Sequence, residues 1–413
     1  MSEEGEGRNS DIYKARYVAK GFTQTYGSNF FETYSPTATP SVIRMFLDFV
    51  GRRGMILHSM DVTTVFLQGD LHELIFLERP KGLHAPHDPA TVWKLLRPVY
   101  GLKQAPREWP AKLSSTLRAL GFCPSRATSC LFLRLTPSPF YILIYVDDML
   151  LAADTIAELQ EVKDELQKHL ACKDLGEVRN YLDMEITRDF TAKTITLSQS
   201  FYTEKILERF GMSTSKPIST PFAFGYRLSP PTTPVTSPHP YAELVGALMY
   251  AMVCTRLDLA YPVSVLAQFV GTGKHGDEHW KAAMRVLRYL QGTKDHVLTL
   301  GGVNPPILQG FSDSSWADAQ PDRRSSQGYG FTLGSGLISW RSTRSSSVAL
   351  SYCEAELYAV TMAAQEARRL SYLLTDLGSP QPCPTLWCDN DSTIHLTKEA
   401  IFHGGSKHIE LRY

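Results

Sequence analysis

Two strand-type runs separated by a pair of aspartates constrain the fold more than any other feature of this sequence. Residues 140–146 and 149–153 are almost entirely apolar, and only Asp147 and Asp148 interrupt them. This pattern predicts a buried β-hairpin with adjacent carboxylates at its turn. Aspartate is also a common turn residue, because its side chain bonds to nearby backbone, so the pair alone does not establish a functional site.

A further carboxylate, Asp61, lies in another strand-type run, which covers residues 60–67. An aspartate inside an apolar strand costs free energy unless it is hydrogen-bonded, paired with a cation or bound to a metal. Three carboxylates converging from two strands would suit a pair of Mg²⁺ ions about 4 Å apart, the arrangement used in phosphoryl transfer. The spacing leaves open whether Asp61 meets Asp147 and Asp148.

The composition is that of an ordinary globular protein. The chain has 413 residues, enough for two or three domains, and its 42 Lys and Arg balance 42 Asp and Glu, so only local basic stripes can indicate a nucleic-acid partner. Seven scattered cysteines without a CxxC pair predict reduced thiols in an intracellular protein. No signal peptide or apolar run of about 20 residues is present, so we expect no membrane partner and a cytoplasmic or nuclear location.

A proline-rich segment, 229–240, marks the clearest break in composition and predicts a loop or linker. Before it, short apolar runs alternate with amphipathic helical patterns such as Ile156–Leu170. After it, residues 242–292 have helical patterns, and the last helix carries a basic stripe formed by Lys281, Arg285 and Arg288. Such a stripe can follow a phosphate backbone, although a plain solvated face is the alternative that the stripe by itself favours.

From residue 307 onward the pattern predicts a compact domain with the element order βββαβα. Strands are expected at 307–311, 328–333, 336–340 and 386–388. Ser351 and Glu354 have the spacing of a capping box at the start of a long helix, which Gly378 ends. The expected buried face of this helix is formed by Leu357, Val360, Ala364, Ala367, Leu370, Leu374 and Leu377.

This domain has its own carboxylates at the ends of predicted elements. Asp313 follows the first strand, Glu356 lies on the long helix and Asp389 follows the fourth strand. Their convergence would give another two-metal site, suited to hydrolysis. The alternatives are a solvated helical glutamate at 356 and a helix N-cap at 389.

A series of short motifs runs in order along almost the whole chain. In the N-terminal two thirds they are YKARYVAKGFTQ from Tyr13, MDVTTVFLQGDL from Met60, YGLKQAPREW from Tyr100, YVDDMLL from Tyr145, KDLGE from Lys173, LMYAMVCTR from Leu248 and HWKAAMRVLRYLQGT from His279. In the remainder they are SDSSWAD from Ser312, SYCEAEL from Ser351, CDNDS from Cys388 and KHIE from Lys407. The ordered set resembles the reverse transcriptase and ribonuclease H region of copia-type retrotransposon Pol polyproteins.

The resemblance implies an α/β fold of the α+β type, in which a right-hand polymerase precedes a ribonuclease H-like domain. Fingers and palm would occupy residues 1–190, a thumb or connection 191–304, and the ribonuclease H-like domain 305–413. The implied activity is RNA-directed DNA polymerisation with linked hydrolysis of RNA. The implied partners are an RNA template, a DNA primer, the RNA/DNA hybrid and deoxynucleoside triphosphates, with integrase or capsid proteins of the same element as further candidates.

The resemblance also assigns roles to single residues of the polymerase site. Asp61, Asp147 and Asp148 match the metal-binding triad, with two Mg²⁺ ions at each active site and Mn²⁺ as a possible substitute. Phe66 matches the aromatic residue that excludes the 2′-hydroxyl of a ribonucleotide. Gln104 matches a glutamine that contacts the incoming nucleotide, and either Lys14 or Arg16 would bind its triphosphate.

In the ribonuclease H-like domain the resemblance assigns metal binding to Asp313, Glu356 and Asp389, with Glu410 as a fourth catalytic carboxylate. Glu354, two residues before Glu356, is expected to serve the helix cap instead.

Several departures from the family pattern support a rival hypothesis. Both ends are shorter than expected, Asp183 stands where relatives have glycine in a primer-contacting hairpin, and Pro262 is expected to kink a helix. The chain could therefore be a decayed or domesticated copy that binds nucleic acid without polymerising. A third alternative is ribonuclease H activity alone.

Overall fold

The computed structural model describes residues 16–79, 92–231, 239–271, 273–318 and 322–398. Within these ranges the chain is a mixed α/β protein built on three main sheets. Among the described residues, no helix combines the length and the apolar character that crossing a bilayer requires.

The first part of the chain forms a six-stranded sheet with helices packed against it. Its elements are α1 Pro40–Arg53, β1 Ile56–Val62, β2 Phe76–Leu77, β3 Trp93–Lys94, α2 Ala105–Ala119, β4 Cys123–Pro124, β5 Leu131–Arg134, β6 Phe140–Tyr145, β7 Asp148–Ala153, α3 Ile156–His169 and β8 Cys172–Glu177. The strand order is β4-β5-β6-β7-β1-β8, and β2 pairs separately with β3. The expected hairpin is confirmed as β6 and β7, and α3 matches the predicted amphipathic helix.

The strand that carries Asp61 is placed differently from the prediction. It covers Ile56–Val62, so Asp61 stands near its end, and residues Val65–Gln68 form a short 3-10 helix instead of continuing the strand. Thr64 adopts a left-handed conformation with φ of 50°, which turns the chain out of the sheet. The apolar content of residues 60–67 therefore reflects burial and does not indicate one continuous strand.

The middle of the chain adds a four-stranded sheet and a helical layer. The elements are β9 Asn180–Tyr181, β10 Met184–Asp189, β11 Thr194–Ser198, α4 Ser200–Arg209, α5 Tyr241–Cys254, α6 Ala260–Ala267, α7 Asp277–Gly292 and β12 Val297–Gly301. The strand order is β12-β11-β10-β9. The hairpin of β10 and β11 spans residue 190, where the sequence suggested a division between domains.

Two expectations about single residues in this region have different outcomes. Asp183 and the preceding Leu182 both have positive φ, 51° and 49°, in the two-residue turn between β9 and β10. Asp183 thus occupies the conformation that favours glycine. The expected kink at Pro262 was wrong, because α6 begins at Ala260 and Pro262 lies in its first turn, where a backbone N–H has no partner within the helix.

The C-terminal part forms a third sheet covered by a long helix. Its elements are β13 Leu308–Ser315, β14 Ser326–Leu333, β15 Gly336–Arg344, α8 Tyr352–Asp376, β16 Thr385–Trp387 and α9 Asp391–Lys398. The strand order is β15-β14-β13-β16, with β16 parallel to β13. This confirms the predicted element order βββαβα.

The buried face of α8 differs from the prediction in its first half. Ala359 and Ala363 are fully buried, whereas Ala364 is exposed and Leu357 is half-buried. The helix packs on β13 and β14 through these small side chains, which carry little hydrophobic signal. In its second half the expected residues Ala367, Leu370, Leu374 and Leu377 are buried.

One continuous hydrophobic core joins α1, the three sheets and α8. Arg44 of α1 lies inside this core with 4% of its surface exposed. Its guanidinium donates to the carbonyls of Ile338 at 2.8 Å, Val253 at 2.6 Å and Cys254 at 2.9 Å, and stacks 3.6 Å from the Trp340 ring. Burial lowers the pKa of Arg44 to about 9, which leaves it charged at neutral pH. A single arginine therefore ties the first helix to both later parts of the chain.

Replacing this buried cation is expected to destabilise the protein strongly. Arg44→Met should lower the free energy of unfolding by about 3 kcal/mol or more, because three buried carbonyls lose a charged donor. Arg53→Met, on the exposed side of the same helix, should change it by less than about 0.5 kcal/mol. Urea unfolding followed by circular dichroism measures the free energy of unfolding of both variants. Equal effects would show that the hydrogen bonds of Arg44 contribute little to stability.

Two candidate carboxylate sites

The first site forms where β1, β7 and the β6–β7 turn meet. Asp61 of β1 is the direct cross-strand partner of Asp148, the first residue of β7. Asp147 lies in the adjoining turn, and its carbonyl accepts a hydrogen bond from the Val62 N–H at 2.9 Å. All three aspartates are half-buried. The structure thus brings together the three carboxylates that the sequence left unconnected.

The electrostatics of this site show an excess of negative charge. Desolvation, with added repulsion from Asp147 and Asp61, raises the pKa of Asp148 from 3.8 to about 6. No basic side chain contributes to this shift. The ionised form of Asp148 is therefore disfavoured as the site stands, and a bound cation would relieve the repulsion. The all-carboxylate donor set suits Mg²⁺ or Mn²⁺.

The turn that carries Asp147 has an unusual backbone. Val146, which precedes it, has φ of 58°, and its carbonyl accepts a hydrogen bond from the Trp109 indole N–H at 2.7 Å. This contact was not predicted, because α2 and the hairpin are distant along the chain and local patterns do not report such contacts.

The candidate nucleotide residues lie beside this turn. Phe66 is half-buried, and its ring packs edge-on against Tyr100 with centroids 4.8 Å apart. The guanidinium of the exposed Arg16 lies 5.5 Å from the centroid of the Tyr100 ring. A cavity of about 350 Å³ lies between Phe66, α2 and Val146.

Gln104 is not open to solvent in this conformation. Its side chain is fully buried. Its amide N donates to the Asn29 carbonyl at 3.0 Å, and its carbonyl oxygen accepts from the Gln24 amide at 3.0 Å. Gln24 in turn accepts a hydrogen bond from the Lys103 N–H. Contact between Gln104 and a nucleotide would require these bonds to be exchanged.

The second site forms near the ends of β13 and β16 and on the first turns of α8. Asp313 was expected to follow the first strand, but it lies inside β13, which continues to Ser315. Glu356 is buried, with 1% of its surface exposed, and accepts a hydrogen bond from the Ser314 N–H at 3.0 Å. Desolvation raises the pKa of Glu356 from 4.5 to about 7, and repulsion from Asp313 and Asp389 adds to the shift. These three carboxylates are therefore electrostatically coupled, as in the first site.

A cysteine also belongs to this second site. Among the described residues, Glu356, Cys388 and Asp389 form a group whose ligand atoms all lie within 4.8 Å of one another. No such group is found among the described residues at Asp61, and Asp313 stands outside this one. Cys388 was not a candidate from sequence, because it carried no zinc-ligand spacing.

Two residues next to the candidate metal ligands, Glu354 and Asn390, cap helices. The Ser351 hydroxyl accepts from the Glu354 N–H at 3.1 Å, and the Glu354 carboxylate accepts from the Leu350 N–H at 2.7 Å. This confirms Glu354 as a capping residue. Asn390 caps α9, since its side chain accepts from the Thr393 N–H at 2.9 Å, which leaves Asp389 outside the helix cap.

Comparison with known proteins shows which family the chain belongs to. The family of reverse transcriptases (RNA-dependent DNA polymerases) matches residues 4–223. A putative transposon Ty5-1 protein of Saccharomyces cerevisiae is 34% identical over 291 residues, which cover 69% of this chain and 92% of the yeast protein. The chain belongs to the reverse transcriptase family.

The chain also matches longer relatives, which are Pol polyproteins from plant transposons. It is 40% identical over 410 residues to the retrovirus-related Pol polyprotein from transposon TNT 1-94 of Nicotiana tabacum, covering 97% of the chain and 31% of that polyprotein. It is 36% identical over 404 residues to the Pol polyprotein from transposon RE2 of Arabidopsis thaliana, covering 97% and 27%. The chain thus spans about a third or less of the length of these two polyproteins, and the predicted resemblance is confirmed.

Two of the three residues of the basic stripe on α7 make contacts within the chain. Arg288 donates to the Lys216 carbonyl at 2.8 Å and Arg285 to the Thr220 hydroxyl at 3.1 Å, while Lys281 is exposed. The three residues line one groove together with Trp280. They stay candidates for nucleic-acid binding. Of the other candidate residues, Lys14 and Glu410 lie outside the described residues.

The raised pKa values predict how metal and pH act on stability. The pKa values of Asp148 and Glu356, about 6 and about 7, lie above those of the same groups in the unfolded chain. The folded protein therefore holds these protons more tightly than the unfolded chain does. The stability that this provides is lost as the pH rises through these values. Without metal, the melting temperature should therefore fall from pH 5 to pH 8. Mg²⁺ at 10 to 100 times its dissociation constant should restore roughly 1 to 3 kcal/mol at pH 8 and little at pH 5.

Calorimetry with and without Mg²⁺ at both pH values measures this linkage. A matched series on the double variant Asp148→Asn and Glu356→Gln should lose the effect. An equal Mg²⁺ effect in the double variant would show that the stabilising ions bind elsewhere.

Proposed function

We propose that this chain is an RNA-directed DNA polymerase with a linked ribonuclease H activity. The single observation that supports the proposal most strongly is the cross-strand pairing of Asp61 with Asp148 beside Asp147 in a chain of the reverse transcriptase family. Burial and repulsion from Asp147 and Asp61 raise the pKa of Asp148, and a bound cation would relieve this repulsion. A decayed copy would be under no constraint to keep them together.

In the polymerase site, Asp61, Asp147 and Asp148 would hold two Mg²⁺ ions. Such ions activate an attacking hydroxyl and stabilise the leaving oxygen in phosphoryl transfer. The contribution of the chain is to fix the three carboxylates on adjacent strands, so that the primer 3′-hydroxyl and the α-phosphate of a deoxynucleotide are positioned for in-line transfer.

Substrate selection would depend on residues beside the turn. The ring of Phe66 would lie under the sugar and exclude a 2′-hydroxyl, with Tyr100 supporting it from the side. Arg16 reaches the same aromatic pair and would neutralise the triphosphate. Gln104 would contact the nucleotide after leaving its bonds to Gln24 and Asn29.

In the C-terminal site, Glu356, Asp313 and Asp389 would hold the ions that hydrolyse RNA in the hybrid. Burial and repulsion from Asp313 and Asp389 raise the pKa of Glu356 to about 7, and a bound cation would relieve this repulsion. Right-hand fingers, palm and thumb would precede this domain. Contacts with the nucleic acid would be mainly to its backbone, so binding should weaken steeply with salt.

Primer extension tests the polymerase proposal. The native chain and Asp147→Asn are given a labelled DNA primer on an RNA template with deoxynucleotides and Mg²⁺, and binding of the duplex is followed by fluorescence anisotropy. Extension by the native chain alone, with similar binding by both, supports the proposal. Binding without extension by the folded native chain would instead support a remnant that only binds nucleic acid.

A further inference from the structure

We propose that Trp109 is a positioning residue for the β6–β7 turn, which consists of Val146 and Asp147. Its indole N–H fixes the peptide of Val146 and thereby the placement of Asp147 and Asp148. This inference rests on the polymerase function proposed above and extends it to a residue outside the carboxylate triad. Trp109 lies on α2 and is buried, with 1% of its surface exposed.

The contact is short and directed at the turn itself. The Trp109 indole N lies 2.7 Å from the Val146 carbonyl oxygen, at the short end of the range for N–H···O bonds. Indole is a donor only, and a buried indole N–H without an acceptor is costly. The contact therefore fixes both partners.

The backbone of Val146 explains why the turn needs such a restraint. Its φ of 58° is in the left-handed region, which a β-branched side chain strongly disfavours. Strain of this kind persists only where surrounding contacts impose it. A peptide that lost the bond from Trp109 would relax, and Asp147 follows directly in the chain.

A cavity lies beside this turn. Its volume is about 350 Å³, and its lining includes Val146, Ile144, Trp109 and Phe66. The turn therefore has free space beside it, and the hydrogen bond from Trp109 crosses between α2 and the strand layer at this point.

A hydrogen bond from β1 also restrains the β6–β7 turn. The Val62 N–H donates to the carbonyl of Asp147 at 2.9 Å, next to Asp61 on β1. Two successive peptides of the turn are thus fixed, one by β1 and one by Trp109. The relative placement of Asp61 and Asp147 should depend on both bonds.

The test compares Trp109→Phe with Phe122→Leu, a buried aromatic of the same core region that has no bond to the turn. Trp109→Phe should lower kcat for nucleotide addition by about 10- to 100-fold, with KM for the deoxynucleotide changed by less than about threefold, because a small misplacement of catalytic groups acts on the chemical step. Phe122→Leu should leave both constants within about threefold of the native values.

Binding of Mn²⁺, followed by electron paramagnetic resonance in a Glu356→Gln background that disables the C-terminal site, gives a readout that does not need activity. Trp109→Phe should weaken the polymerase-site ion by about tenfold, and Phe122→Leu should not. If Trp109→Phe unfolds, replacement of Trp109 by benzothienylalanine, which keeps the shape without the N–H, takes its place. Equal kcat and Mn²⁺ affinity in the Trp109 and Phe122 variants would overturn the inference. A native chain without extension would refute the polymerase proposal, and the Mn²⁺ comparison would still decide the role of Trp109.

Discussion

Asp148→Asn is expected to reduce RNA-templated primer extension by about a thousandfold or more. Charge stabilisation by metal ions in such sites is worth several kcal/mol, and each 1.36 kcal/mol corresponds to a tenfold change in rate. The substitution removes one of the three carboxylates that β1, the β6–β7 turn and the start of β7 bring together. It should not harm the fold, because burial and repulsion already raise the pKa of Asp148 to about 6. Single-turnover extension measures the loss.

The matched control is Asp154→Asn, at the other end of the same hairpin. Asp154 is exposed and lies 3.9 Å from Arg53, so its loss should leave extension within about twofold of native. Hybrid cleavage by Asp148→Asn should also stay near native, since the C-terminal carboxylates are untouched. Normal extension by Asp148→Asn would remove Asp148 from the site.

Glu356→Gln is expected to abolish cleavage of RNA in a hybrid, again by about a thousandfold or more, while primer extension continues. Glutamine can still accept the hydrogen bond from the Ser314 N–H. Because desolvation and neighbouring carboxylates raise the pKa of Glu356 to about 7, a neutral side chain should keep or raise stability at pH 8 without metal. A loss of cleavage would therefore reflect the missing carboxylate and not unfolding.

Glu354→Gln is a demanding control, because Glu354 is buried two residues away on the same helix. Its carboxylate serves the helix cap through the Leu350 N–H, so the variant should be less stable by about 0.5 to 2 kcal/mol but should cleave the hybrid. Cleavage lost in Glu354→Gln and kept in Glu356→Gln would reverse the assignment.

Local sequence patterns predicted the elements that hold the carboxylates. The hairpin around Asp147 and Asp148 follows from two apolar runs, and the long C-terminal helix follows from its cap at Ser351. In both cases the signal lies within a few residues. Alternation and capping chemistry act over that range, so they can be read without knowledge of distant contacts.

The contacts that complete the sites could not be predicted from local sequence patterns. The pairing of Asp61 with Asp148, the burial of Gln104 by Gln24 and the bond from Trp109 join residues far apart in the chain. The strand at 60–67 was overestimated because apolar character alone does not distinguish a strand from a 3-10 turn. The alanine face of α8 was missed because small side chains give a weak hydrophobic pattern while allowing close packing on the sheet.

The most direct test of the central claim is the addition of one templated deoxynucleotide to a DNA primer on RNA, with Mg²⁺, by the native chain and by Asp61→Asn. Asp61 is the carboxylate that enters the site through the pairing of β1 with β7. We expect the native chain to add the complementary nucleotide and Asp61→Asn to add none within the same time. No addition by the folded native chain, or equal addition by Asp61→Asn, would contradict the claim that these three carboxylates form a polymerase site.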